Sequence, residues 1–180
     1  MLPADIETLI TNIHAAPPRL VLEFAGAGSL ALWWLHSVAG SSRTVLEATD
    51  RYAPQSLATL LGFTPVSFVS VDTALAMARQ AQARATALSD GSFPLLGVGC
   101  TATIATDRAK RGEHRCCIAV CAATATKSYA LTLTKGQRDR YGEEELVSRV
   151  LIHAIAQACA LPSLPPLPLA PAEVVQQQTH

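Results

Sequence analysis

Apolar positions along the chain follow two spacings. Ile6, Leu9, Ile10 and Ile13 recur at helical spacing within ADIETLITNIHAA, where Asp5 can cap, and they predict a first helix that Pro17-Pro18 stop. RLVLEF (19–24) is a short continuous apolar run between Pro and Gly, the mark of a buried strand. AGAG then turns the chain into SLALWWLHSVA (29–39), a helix apolar nearly all round that ends at Gly40. RTVLEAT (43–49) predicts a second strand, and PQSLATLLG (54–62) a short helix opened by Pro and closed by Gly. SVDTALAMARQAQARATAL (70–88) is the clearest helix, with Ser70 or Asp72 as its cap. FPLLGVGC (93–100) predicts another buried strand, and CCIAVCAAT (116–124) and KSYALTLTKG (127–136) predict a hairpin. EEELVSRVLIHAIAQAC (143–159) predicts the last helix, its three leading glutamates suiting the positive end of the helix dipole.

This alternation predicts the α/β class: a three-layer α/β/α fold with a mixed, mostly parallel sheet containing one antiparallel hairpin. A length of 180 residues, 49% of them apolar, suits one domain, expected over 1–161. Beyond Leu161 the composition turns rich in Pro and then Gln, predicting an ordered wrap or a disordered tail over 162–180. Fourteen basic and 14 acidic residues leave no net charge, which argues against a generally basic nucleic-acid surface. The N-terminus shows no signal peptide, and the longest apolar run is too short to span a bilayer, so a soluble, cytoplasmic protein that does not engage membranes is expected. The five cysteines are odd in number, and C-C-x-x-x-C is not a zinc spacing. Buried thiols are expected, with Cys116 and Cys117 on opposite faces of a strand; no metal or cofactor is implied.

Chemistry is expected beyond the carboxyl ends of the strands. Three loops leave such ends. AGAGS (25–29) offers Gly26, Gly28 and Ser29 at a helix N-terminus, where backbone N–H groups can meet an anion or simply form a glycine turn. TDRYAP (49–54) brings Arg51 and Tyr52. GVGCTATIATDRAKRGEHRCC (97–117) carries Cys100 and Thr101, and then a charged loop with Arg108, Lys110, Arg111 and His114. Those basic groups can close over a phosphate or carboxylate, or form a solvated surface loop. Catalytic candidates are Ser29, Tyr52, Cys100 and Thr101, with His114 or Lys110 as a base; His114 and His36 are also candidate acid–base groups. Trp33 and Trp34 are adjacent on one helix with rings about 100° apart. One is expected in the core. The other is expected in the core or against a symmetric partner, and a homo-oligomer is anticipated.

FAGAGSLALWWLHSVAGSSRTVLEATDRYAPQSLATLLGF, followed by VSVDTALAMARQAQARA, resembles the C-terminal domain of the competence/damage-inducible protein CinA, over roughly residues 5 to 160. That family includes nicotinamide mononucleotide deamidases. The resemblance implies a three-layer fold with a mixed sheet, and hydrolysis of the nucleotide's carboxamide to the nicotinate nucleotide and ammonia. It also implies a serine nucleophile in a Ser-Cys-Thr-Gly-Gly-like turn, activated by a lysine. By spacing from VAGSS, the serine position is Ala25 and the lysine position Leu57, while Tyr52 matches the family tyrosine. Nucleophile and base are both absent. The reading is a protein that binds a nicotinamide mononucleotide-like nucleotide without the serine–lysine mechanism. Its alternatives are an amidohydrolase with a rebuilt site and an interaction module.

Overall fold

The computed structural model describes residues 2–107 and 111–180. Among these residues six strands form one sheet: β1 (Arg19–Ala25), β2 (Val45–Asp50), β3 (Leu95–Thr103), β4 (His114–Cys121), β5 (Thr126–Leu133) and β6 (Gln176–Thr179). Their order is β2-β1-β3-β4-β5-β6. β1 runs parallel to β2 and to β3, whereas β3–β4, β4–β5 and β5–β6 are antiparallel. The sheet is mixed as expected, with more antiparallel pairing than the single hairpin anticipated. The link from Thr103 to His114 is too short for a helical crossover, so β4 returns antiparallel to β3.

Among the described residues, five α-helices cover both faces: α1 (Ala4–Ala15), α2 (Ser29–Ser37), α3 (Pro54–Leu61), α4 (Val71–Leu88) and α5 (Arg140–Ala158). Strand alternation divides the side chains between two layers. Leu20, Leu22, Phe24, Val98, Cys100, Cys116 and Ile118 join α1, α2 and α5 in the main core. Val21 and Ala25 face α3 and α4, as do Cys117 and Ala119. Cys116 and Cys117 therefore do point to opposite faces. All five thiols are free, and only Cys121 is not buried. Among the described residues no helix is long and apolar enough to cross a membrane.

The second layer is built from small residues. α4 presents Ala74, Ala78, Ala81 and Ala85 to the sheet, all fully buried. β3 answers with Gly97 and Gly99: a Cβ at Gly97 would lie 2.2 Å from the Ala78 carbonyl oxygen, and one at Gly99 2.5 Å from that of Ala74. Helix backbone thus rests almost on strand backbone, which fixes α4 and the loop before it against the carboxyl end of β3.

Candidate functional site

The expected loops do meet at one edge of the sheet. Ala25 lies beside Thr101, Phe24 beside Asp50, and Thr103 beside Arg115. The edge has two sides, one toward α5 and one toward α4, and the expected site residues are divided between them.

On the α5 side, the turn after β1 needs its glycines. Gly26 and Gly28 have φ of 84° and 110°, and a Cβ at Gly26 would fall 2.0 Å from the Ala102 carbonyl oxygen. Two N–H groups of this turn, those of Gly28 and Leu30, are already taken from within the chain. Glu144 of α5 accepts from the Gly28 N–H at 3.0 Å, the Leu30 N–H at 3.0 Å and the Ser29 hydroxyl at 3.0 Å. The carboxylate takes the place an anion would take at the start of α2. Asp50 is held above the usual carboxylate range, first by desolvation and then by the charge of Glu144. Glu143 is fully buried; it accepts from the Ala105 N–H at 2.7 Å and pairs with His114 Nδ1 at 2.8 Å. One carboxylate thereby fastens both ends of the charged loop. Cys100 is fully buried, its Sγ 3.7 Å from the Ala27 carbonyl oxygen, and burial pushes its thiol well above the ordinary value. Such a thiol is protonated, unlike a reactive cysteine beside a basic cluster. His36 bonds Ser41 at 2.6 Å near the far end of α2, away from this edge.

On the α4 side, Ala25 and Leu57 fall together. With Leu61 and Met77 they form one buried apolar cluster, Leu57 only 2% exposed. The spacing that assigned these two positions thus brings them to one place, and hydrocarbon fills it. Nearby, Glu23 is 1% exposed and takes a two-pronged contact from Arg51, at 2.8 and 3.3 Å. Arg51 is thus committed to a structural pair, and Tyr52 stands 68% exposed beside it. Thr101 is buried and donates to the Phe68 carbonyl at 2.6 Å.

Next to that bond lies a cleft of about 580 Å3 lined by Ser67, Phe68, Val69, Thr103, Gly112, Glu113 and Arg115. The half-buried Arg115 reaches only the Ser67 hydroxyl, at 3.4 Å, and forms no ion pair among the described residues. Arg111 is exposed. Arg108 and Lys110 lie outside the described residues. The sequence reading did not single out Arg115, Glu143 or Glu144. The one available signal was a run of three carboxylates at a helix start in a chain with an unusually glycine-rich strand-to-helix turn.

No family model and no curated protein sequence matches the chain. Solved structures do. A competence/damage-inducible protein from Agrobacterium tumefaciens matches at a TM-score of 0.65 and 23% identity, over 91% of this chain and 99% of that one. A competence or damage-inducible protein from Enterobacter asburiae matches at 0.63 and 14%, over 89% and 100%. A competence-damaged protein (CinA) superfamily protein from Escherichia coli matches at 0.64 and 17%, over 88% and 94%. The chain has the three-layer fold of this superfamily, as the sequence resemblance implied.

Proposed function

We propose that this protein binds an anionic, nucleotide-like ligand of the nicotinamide mononucleotide type and does not hydrolyse its amide by a serine–lysine mechanism. The observation that carries the second half is the Ala25–Leu57–Leu61–Met77 cluster. A hydroxyl and an amine are needed there for attack and proton removal, and methyl groups stand in both places. The alternative, a rebuilt amidohydrolase, finds no nucleophile–base pair at Ser29, Cys100 or Thr101, the candidates at this edge of the sheet. The Ser29 hydroxyl donates to a carboxylate that already accepts two backbone N–H bonds, Cys100 is protonated, and Thr101 donates to a carbonyl.

Binding is supported by the cleft around Arg115. A guanidinium without a carboxylate partner is suited to a phosphate, which it grips in two-pronged fashion. Arg111 is on the adjoining loop, and Arg108 and Lys110 remain proposed contributors. Ser67 and Thr103 add polar side chains at the walls, and Glu113 sets one carboxylate against the arginines.

The test is to incubate the protein with nicotinamide mononucleotide, following ammonia and nicotinate nucleotide, and to measure binding by calorimetry. Binding without turnover is expected. Arg115→Gln should weaken it about tenfold or more, the scale of a lost charged hydrogen bond, with less effect at high salt. Turnover by the natural protein would overturn the reading. Weak activity in an Ala25→Ser, Leu57→Lys double variant would support the assignment of the emptied positions.

A further inference from the structure

α2 places Leu30, Trp33 and Trp34 on neighbouring turns, and their environments differ. Trp34 is 3% exposed and belongs to the core, whereas Trp33 is 52% exposed. Across from Trp33, α5 presents Tyr141 and Glu145, one turn apart, with Tyr141 64% exposed. Together with Pro3 these residues line a cleft of about 420 Å3, within the range of small-ligand sites. It lies on the α5 side of the sheet, apart from the Arg115 cleft, so it stands independently of the function proposed above.

Charge decides what chemistry fits it. Glu145 accepts from Arg149 Nε at 3.1 Å through one oxygen, and its other oxygen has no hydrogen bond among the described residues. Asp5 takes the same arginine at 2.7 Å. Glu144 stands at the start of α2, next to Leu30. Asp5 and Glu145 share one guanidinium, and Glu144 adds a third carboxylate beside Leu30, so these groups sum to a negative charge. Aromatic faces are themselves the negative pole of the ring quadrupole. An anion is repelled here. A neutral apolar group gains the rings but leaves the carboxylate unanswered. A compact cation with apolar substituents gains both.

We infer that the Trp33–Tyr141 cleft binds a compact organic cation, an alkylammonium or quaternary ammonium group, between the two aromatic rings with Glu145 as its counter-charge. The probe is choline, compared with its neutral isostere in which a tert-butyl group replaces trimethylammonium. Both are titrated against the full chain by calorimetry, with tryptophan fluorescence as a second readout. Choline should bind about tenfold more tightly than the isostere, the cation–π contribution of a partly desolvated site. Trp33→Leu and Glu145→Gln should each remove most of that preference. Trp33 is exposed, so its variant should melt like the parent; Tyr141→Leu provides a second exposed change. Equal affinities, or no saturable choline binding, would overturn the inference. So would a dimer in light scattering that dissociates in Trp33→Leu, since a second copy would then cover the cleft.

Discussion

Glu143, Glu144 and Glu145 are consecutive, and each does something different. Glu143 joins Ala105 to His114, Glu144 caps the start of α2, and Glu145 pairs with Arg149. In sequence they were equivalent: all three suit the helix dipole. Their directions depend on the phase of α5 against the sheet, which is set by tertiary packing and not by local spacing. The consequence is testable at Glu143. Glu143→Leu roughly preserves volume but removes both carboxylate oxygens, leaving the Ala105 N–H and the His114 ring without their partner. Leaving a buried donor unanswered costs about 1–3 kcal/mol. A fall of that size in urea stability is expected, with faster hydrogen exchange at the Ala105 amide. Unchanged exchange there would show that Glu143 does not hold the loop.

At the scale of elements, most of the fold was legible because α/β patterning is local: strand runs and helical spacing announce themselves. What the pattern did not reveal was which elements fit. The glycines in FPLLGVGC and the alanines of 70–88 were each read correctly as strand and helix, but not as two surfaces in contact. Their match makes a sharp prediction. A Cβ at Gly99 meets the Ala74 oxygen at 2.5 Å and the Ala78 nitrogen at 2.7 Å, and backbone cannot swing aside as a side-chain end can. Gly99→Ala should therefore cost about 1–3 kcal/mol or more by overpacking, read as a lower urea midpoint. Gly112→Ala, with nothing within 4 Å of its Cβ, should stay within about 0.5 kcal/mol of the parent. Of the candidate site, the loops that meet at the sheet edge were legible, and the contacts of their side chains were not. Counting along the chain located Ala25 and Leu57, which do lie together. It could not show that Glu144 fills the glycine turn, because that contact spans 116 residues.

The whole molecule is closed by its last residues. Pro and Gln composition suggested either a wrap or disorder over 162–180, because such sequences bury little and form no helix. Here Leu164, Leu167, Leu169 and Val175 pack on the main core, and β6 pairs with β5. The fastening is Glu173, the one carboxylate side chain in that segment. It is 4% exposed and accepts from Thr134 N–H at 2.8 Å, Ala170 N–H at 2.7 Å, and both terminal nitrogens of Arg138 at 2.8 and 2.9 Å. Composition could not reveal this, since the arginine is 35 residues away. Burial alone would raise the Glu173 carboxyl; the Arg138 bond and the two N–H bonds outweigh it and bring its pKa from 4.5 to about 2. The sign follows by linkage. A carboxylate with a depressed folded-state pKa stabilises the fold above its unfolded value and loses that contribution as pH falls through the folded one. The tail should therefore be held fully above about pH 4.5 and loosen progressively toward pH 2. Hydrogen exchange at the β6 amides, corrected for its intrinsic pH dependence, should show protection falling across that window. Glu173→Gln should show weak protection at all pH values, with no step between 4.5 and 2. A variant that kept the parent's pH profile would mean that the β5–β6 ladder alone, not the buried ion pair, holds the tail in place.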